Sequence, residues 1–311
     1  MKIVVAGGAG FIGSHVVDFW SKNEAEVHVI DNFRTGKLEN ISGMHGVVLH
    51  EGSITDREMV FSVVKDADYI FNFAAMVSIP ESIEKPVETI EINTLGFLNL
   101  LDAAKEYKAK KVVLSSSAAV YGNNPVIPKR TDMKPEPLSP YSITKLSGEY
   151  YCEMYTREYG IKTIALRYFN VYGPKQDPGS VYAAAVPIFI SKALNGENII
   201  IHGDGEQTRD FIYVQDVVRA NVLAATGNNL TGTFNVACGD SISIKELANK
   251  IIELTGSNSK IEYAPLRAGD IRYSKADIEE TKRALGFMPE YNIETGLGKT
   301  IEFFANGSNA E

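Results

Sequence analysis

The chain has little that would staple it shut or bind a metal. Two cysteines, Cys152 and Cys238, stand unclustered among 311 residues, and no CxxC occurs. This excludes a disulfide scaffold and argues against structural zinc, so both thiols are expected to sit reduced in the interior. The five histidines show no ligand spacing with acids or cysteines, and no metal is implied. No basic run interrupts the net charge of −8, which removes nucleic acid and an anionic membrane surface as natural partners. No segment approaches the ~18 unbroken apolar residues that span a bilayer. The apolar start, "MKIVVAGGAGFIG", is broken by glycines and followed by His15 and Asp18, so it reads as a buried strand rather than a signal peptide. These absences leave a cytoplasmic protein whose partners are small molecules.

What is present is ordinary globular composition, 44% hydrophobic and 23% charged, enough for one large α/β domain and a smaller one. Short β-branched runs at Lys2–Ala6, Glu26–Ile30, Val47–His50, Tyr69–Phe73, Lys111–Ser115 and Thr163–Arg167 alternate with longer amphipathic stretches. Continuously apolar strands between helices predict a doubly wound parallel sheet of the Rossmann type, with ligands beyond the strands' carboxyl ends. After Phe169 the regularity fades into "NVYGPKQDPGS". Residues 1–170 are therefore expected to form a dinucleotide-binding domain and 171–311 a smaller α/β substrate domain, with a stretch around 211–238 returning to the first. Helices are expected near Ala183–Leu194, Val217–Ala225, Ile244–Leu254 and Ala276–Leu285.

"VVAGGAGFIGSH" places Gly7, Gly10 and Gly13 between the first strand and the first helix. A turn without Cβ atoms lets backbone N–H groups approach a pyrophosphate, and the helix N-terminus adds a favourable dipole. The second strand ends in Asp31, at the spacing where a carboxylate takes the ribose hydroxyls. Asp31 would repel a 2′-phosphate, which favours NAD over NADP. Arg34 and Lys37 close by weigh the other way.

Further along, "PYSITKLSGEYY" offers Ser139 as N-cap and Pro140 as first helical residue, which puts Tyr141 and Lys145 on one face, Cβ atoms ~5–6 Å apart. For a phenol of pKa ~10 to act as a base near neutrality, phenolate needs roughly 4 kcal/mol of preferential stabilisation. A lysine charge ~5 Å away supplies about 3 kcal/mol at an effective dielectric of ~20. Ser117 follows the strand Lys111–Ser115 at its carboxyl end, in "SSSAAVYG", where a hydroxyl can reach both the tyrosine and a substrate oxygen.

Taken in order, "GGAGFIG", Asp31, "SSSAAVYG", "YSITK" and "RYFNVYGP" resemble the extended short-chain dehydrogenase/reductase family, specifically its nucleotide-sugar 4-epimerases, across essentially the whole chain. The resemblance implies Tyr141 as catalytic base, Lys145 holding the nicotinamide ribose, and Ser117 as hydrogen-bonding partner. It implies that Phe11, Ile12, Asn32, Thr35 and Gly36 line the NAD site with the glycines. Ser53 and Ile54 would lie at the adenine, with Phe73, Ala74, Ala75, Asn93 and Tyr168 along the remainder. Two positions depart from the family: Ser53 where an aspartate is frequent, and Val77 where many epimerases carry a lysine near the phosphates.

For the nucleotide sugar it implies Asn170, Arg209 and Arg267 at the diphosphate, Asp270 beside them, and Val186 with Ile200–His202 at a uridine. Ser274 would stand beside the sugar's C2 substituent, a small residue that admits an N-acetyl group; a slip of one residue puts Tyr273 there and reverses the conclusion. The expected activity is interconversion of UDP-glucose and UDP-galactose, with the N-acetylated pair as an extension. A 4,6-dehydratase is the nearest rival, but the place of its acid–base pair reads Ala118–Ala119. A keto-sugar reductase with exchangeable NADPH and a non-catalytic dinucleotide-sensing module are the others. The family also implies a homodimer built by helices around Asn93–Tyr107 and Tyr141–Tyr159.

Overall fold

A computed structural model describes residues 1–179, 184–266 and 271–307. Its strands are Lys2–Ala6 (β1), Glu26–Asp31 (β2), Val47–Glu51 (β3), Tyr69–Asn72 (β4), Lys111–Ser117 (β5), Thr163–Tyr168 (β6), Asn170–Tyr172 (β7), Ile199–His202 (β8), Thr208–Arg209 (β9), Phe211–Tyr213 (β10), Gly232–Val236 (β11), Ile242–Ser243 (β12) and Ile261–Ala264 (β13). The α-helices are Phe11–Lys22 (α1), Arg57–Val64 (α2), Ile79–Glu84 (α3), Pro86–Ile90 (α4), Gly96–Tyr107 (α5), Pro140–Tyr159 (α6), Ala185–Leu194 (α7), Val214–Thr226 (α8), Ile244–Thr255 (α9), Glu279–Leu285 (α10) and Ile293–Gly307 (α11).

A parallel seven-stranded sheet, ordered β11-β6-β5-β4-β1-β2-β3, organises the molecule. Period-two alternation explains why apolar runs form it: in β1, Val5 enters the core under α1 and α8, while its neighbour Val4 enters the core under α2, α5 and α6. Both faces are therefore covered, as a parallel sheet requires. The chain runs outward from β1 to β3 and then restarts with β4 on the other side of β1. That reversal opens a crevice at the carboxyl ends of β1 and β4. The fold is the expected doubly wound one.

A third core gathers α7, α9, α11 and β8. Helix α9 buries Ile244, Leu247, Ala248 and Ile251, one face at helical spacing, and its N-terminus is closed by a Ser243–Glu246 capping box. Burying Leu247 or Ile251 contributes ~1.5–3 kcal/mol each. Four short strands accompany this half: β13 pairs with β8 in parallel, and β12 with β9 antiparallel. Of the two thiols, Cys152 is buried, whereas Cys238 is half-buried. No helix among the described residues is long and apolar enough to cross a membrane.

Helix α6 begins as its sequence dictates. The Ser139 side chain accepts from the Ser142 N–H, the Ser142 side chain answers to the Ser139 N–H, and Pro140 occupies the first turn. Gly160, with φ +72°, ends the helix in a left-handed cap that a side chain would resist.

Candidate active site

A cleft of about 650 Å³ lies at the crevice. Gly7, with φ +74°, turns the chain after β1, and a Cβ there would come within 2.5 Å of the Ala74 nitrogen. A Cβ on Gly13 would come within 2.1 Å of the Gly7 carbonyl, so Gly13 lets α1 approach the strand end. Gly10 differs: a Cβ there would meet only the Gly7 carbonyl at 3.3 Å, so Gly10 leaves room on the cleft it lines. The first turn of α1 has no side-chain cap at Gly10, which leaves its N-terminal dipole available to an anion.

At the end of β2, Asp31 is 7% exposed, its Oδ2 accepting from the Ala9 N–H at 2.9 Å and its Oδ1 from the Phe33 N–H at 2.8 Å. The carboxylate is thus aimed before any ligand arrives. Gly36 packs directly on it: a Cβ there would lie 2.8 Å and 2.9 Å from the two oxygens. Phe11, Ile12, Asn32, Thr35, Ser53, Ile54, Phe73, Ala74, Ala75 and Tyr168 line the same cleft with the glycines and Asp31. The Ser53 hydroxyl already accepts from the Thr55 N–H and hydroxyl at 3.2 Å and 2.8 Å. The Tyr168 hydroxyl donates to Asn221 Oδ1 at 2.9 Å, and burial raises its pKa.

These residues fit a dinucleotide. An open cradle at Gly10, an uncapped helix start and an oriented carboxylate match a pyrophosphate and a ribose diol.

The cleft's other end holds Ser115, Ser116, Ser117, Tyr141 and Lys145. Burial pushes the Tyr141 phenol above its ordinary value, and a hydrogen bond with Ser117 draws it partly back. The Lys145 Nζ lies 5.7 Å from the Tyr141 ring centre and donates to the Ser115 carbonyl at 2.7 Å and hydroxyl at 3.3 Å. Burial lowers its pKa to about 8. The ammonium is thus fixed to β5 rather than hydrogen-bonded to the phenol. The Ser117 hydroxyl accepts from the Ala119 N–H at 3.1 Å.

Two braces set this geometry, and neither is visible in a linear motif. Glu149, on the Tyr141–Lys145 face one turn further on, accepts from Ser116 Oγ at 2.5 Å and from Arg167 Nε and Nη2 at 2.8 Å and 2.7 Å. Glu149 and Arg167 are 5% and 4% exposed. This ion pair locks α6 to β5 and β6. The second brace is Asn93, in a π-helical turn over Glu91–Leu95. Its Oδ1 accepts from the Met76 N–H at 2.7 Å, while Nδ2 donates to the Met76 carbonyl at 3.1 Å and to Thr144 Oγ1 at 3.0 Å. Asn93 therefore stands behind the cleft wall and is absent from its lining.

The lining also includes residues that strand-and-motif reading did not single out. Lys175 donates to the Asn40 carbonyl at 2.8 Å. Gln176 donates through Nε2 to the Val171 carbonyl at 3.2 Å, while its buried Oε1 has no partner among the described residues. The Gly-Pro before Lys175 was the available signal. His15, whose Nε2 lies 3.0 Å from the Pro174 carbonyl, anchors α1 to this segment.

Among the described residues, Asn170, Val186, Ile200, His202, Arg209 and Ser274, expected around a nucleotide sugar, fall outside the lining of this cleft. Asn170 Nδ2 donates to the Asp210 carbonyl at 2.9 Å, Arg209 Nη1 donates to the Thr208 carbonyl at 2.8 Å, and the Ser274 N–H donates to that same carbonyl at 3.1 Å. Asn170, Arg209 and Ser274 are thereby gathered around residues 208–210. Val186 is fully buried in the third core, Ile200 is exposed, and His202 Nδ1 lies 3.1 Å from the Pro265 carbonyl. Arg267 and Asp270 lie outside the described residues. Asp210 holds the assembly together, its carboxylate accepting from the N–H groups of Cys238, Gly239 and Ala276 at 2.9, 3.0 and 3.1 Å.

A glycine-cradled crevice at the switch point of a doubly wound sheet, with tyrosine, lysine and serine at one end, defines a dinucleotide-dependent enzyme. The family model described as "NAD dependent epimerase/dehydratase family" matches residues 3–237, and the chain belongs to that family, within the extended short-chain dehydrogenases/reductases. Its cofactor is NAD.

A UDP-glucose 4-epimerase from Thermotoga maritima, solved with UDP-glucose, is 41% identical, with TM-score 0.94 over 99% of this chain and 100% of that one. A UDP-N-acetylglucosamine 4-epimerase from Methanobrevibacter ruminantium, solved with UDP-N-acetylmuramic acid, is 40% identical, with TM-score 0.95 over 98% of each chain. A UDP-N-acetyl-alpha-D-glucosaminuronate decarboxylase from Bacillus cytotoxicus is 35% identical over 99% of both chains. Epimerases and decarboxylases thus share this scaffold.

Proposed function

We propose that the protein is a UDP-hexose 4-epimerase, and the observation that carries this reading is the convergence of Ser117, Tyr141 and Lys145 at one end of the dinucleotide cleft. NAD, when bound, supplies a hydride acceptor and donor for the sugar's C4, passing through a 4-keto sugar, and a positive charge beside Tyr141. Gly7, Gly10, Gly13, Phe11 and Ile12 would hold its pyrophosphate. Asp31, Asn32, Thr35 and Gly36 would hold the adenosine ribose, with Ser53 and Ile54 at the adenine and Phe73–Ala75 and Tyr168 along the wall. Tyr141 takes the C4 hydroxyl proton and later returns it, Ser117 holds the same oxygen, and Lys145 keeps the ribose and the phenol in register. Asn93 acts on this site as a brace.

Asn170, Arg209, Arg267 and Asp270 would anchor the diphosphate side, and Val186, Ile200 and His202 the uridine. Such anchoring lets the keto sugar turn over without escaping. Ser274 as a small gate is supported by its half-buried setting, whereas Tyr273 is 50% exposed and turned onto Arg272. This division assigns residues 1–170 to the cofactor and most of 171–311 to the sugar nucleotide.

Decarboxylation is the second reading, on the strength of the decarboxylase relatives. It needs a cation for the sugar carboxylate. The cations lining the cleft are Arg34, Lys37, Lys145 and Lys175, and of these Lys145 is the one beside Tyr141. With Lys145 bonded to Ser115, no other cation among the described lining residues stands beside Tyr141. Elimination of water is disfavoured by Ala118–Ala119. NMR of the purified protein with UDP-galactose, UDP-N-acetylgalactosamine and UDP-glucuronate, each separately, tests all three. Gluco epimers from the first two are expected; a pentose product from the third, with no epimer formed, would replace the reading.

A homodimer completes the proposal. Helices α3 and α4 and the 91–95 turn pack against α6, and Ile83, Val87, Ile90, Leu95, Ile143 and Tyr150 on these elements are exposed, apolar side chains that a second copy would cover. Sedimentation equilibrium that returned a monomer would exclude it.

A further inference from the structure

Arg34 follows Asp31 by three residues and lines the cleft beside it. Its Nη2 donates to Glu81 Oε1 in α3 at 2.7 Å, and its Nη1 to Glu88 Oε1 in α4 at 2.5 Å. In the sheet β1 separates β2 from β4. Arg34 therefore ties the segment after β2 to helices that follow β4, strands that lie on opposite sides of β1. Lys85 approaches Glu81 to 3.5 Å and Glu88 to 4.0 Å, so two cations face two carboxylates in one cluster. Arg34 and Glu81 are each 29% exposed and Glu88 is 39% exposed, so solvent reaches the cluster and its hold on Arg34 comes from two carboxylates acting together rather than from burial.

We propose that Glu81 and Glu88 are specificity-determining residues: they withhold Arg34 from a 2′-phosphate and so make the cleft select a dinucleotide whose 2′-hydroxyl is free. The proposal rests on the reading of this cleft as the NAD site. In this class of fold an arginine near the ribose carboxylate is what accommodates the 2′-phosphate of NADP. A guanidinium serves a phosphate through its planar fork, with two parallel N–H bonds. Here both arms of the fork already end on carboxylates. An incoming phosphate must compete with these two carboxylate charges for the guanidinium and also meet the charge of Asp31. The other basic residue of the loop, Lys37, is 50% exposed and lies 3.9 Å from Glu39, so its field is largely screened. A loop with two basic residues thus presents little positive charge to a phosphate.

The test is equilibrium dialysis of purified protein against NAD and NADP together, with the bound dinucleotide identified by chromatography after acid denaturation. Wild type should hold NAD almost exclusively. Glu81→Gln/Glu88→Gln should raise the ratio of bound NADP to NAD by about tenfold or more, the scale of one charge-assisted hydrogen bond. Adding Arg34→Ala to that pair should return the ratio to the wild-type value. A ratio unchanged in the double variant, or a gain that survives Arg34→Ala, would overturn the proposal. Wild-type protein that holds neither dinucleotide would overturn the cofactor reading beneath it, a result that a mere failure of selectivity could not produce.

Discussion

The two ends of the molecule prepare for their ligands in opposite ways. At the dinucleotide end the decisive groups are fixed in advance: Asp31 by two backbone N–H groups, Lys145 by Ser115, and Gly7 and Gly13 by contacts that admit no Cβ. In the C-terminal half Asn170, Ile200, His202 and Arg209 ride on strands of two to four residues, and Asn170, Arg209 and Ser274 meet through the backbone carbonyls of Thr208 and Asp210. Long strands in a covered sheet hold a rigid site; short ones outside it permit adjustment. An enzyme that keeps its cofactor while its sugar turns over would need this asymmetry.

Removing the phenol breaks the comparison most sharply. Tyr141→Phe should lower kcat by roughly 10²–10⁴-fold while leaving bound NAD unchanged, measured by turnover and by dinucleotide released on denaturation. An active variant would take Tyr141 out of the role of base. Next in size is the buried ion pair: Glu149→Ala leaves Arg167 uncompensated and should destabilise the fold by about 3–5 kcal/mol in denaturant unfolding. Glu149→Leu combined with Arg167→Met should recover most of that stability yet not the kcat, because the tie from α6 to Ser116 is gone. Equal recovery of both would reduce Glu149 to packing.

A smaller effect tests how firmly α1 is held. Burial lowers the His15 pKa to about 4, with its bond to the Pro174 carbonyl opposing. The folded state therefore keeps His15 neutral while the unfolded chain protonates near pH 6.5. Stability from this group is complete above about pH 6.5 and is lost as pH falls toward 4, by about 3 kcal/mol at most. Thermal unfolding across that range should show the loss in wild type and a shallower slope in His15→Gln. At the sugar end, Ser274→Tyr should reduce turnover of the N-acetylated substrate by ~10- to 200-fold relative to UDP-galactose. Equal loss on both would move the gate away from Ser274.

The sheet was largely legible because its strands are continuous apolar runs: β1 coincides with its expected span, and β2 to β6 each lie within two residues of theirs. Strand β11, "GTFNV", carries no such run and gains its place only by pairing beside β6. The convergence of Gly7, Gly10, Gly13, Asp31, Tyr141 and Lys145 on one cleft was foreseeable because they sit at spacings that local geometry fixes. What local spacing could not supply was the bracing. Ser116, Glu149 and Arg167 meet from positions 33 and 18 residues apart, and Asn93 reaches Thr144 across 51. Such contacts exist only after the sheet has brought its helices together. In the sugar half, strands as short as β9 and β12 have no periodicity to read.

The Asn93 amide grips both the N–H and the carbonyl of Met76, as a neighbouring strand would, and its remaining hydrogen reaches Thr144. Thr144 lies between Tyr141 and Lys145, and Met76 directly follows the Phe73–Ala75 wall. One amide thus ties the Phe73–Ala75 wall of the cleft to the helix that carries Tyr141 and Lys145. Asn93→Ala should therefore change dinucleotide affinity and the placement of Tyr141 together, read as NAD released on denaturation and as kcat; a change in one alone would confine Asn93 to packing.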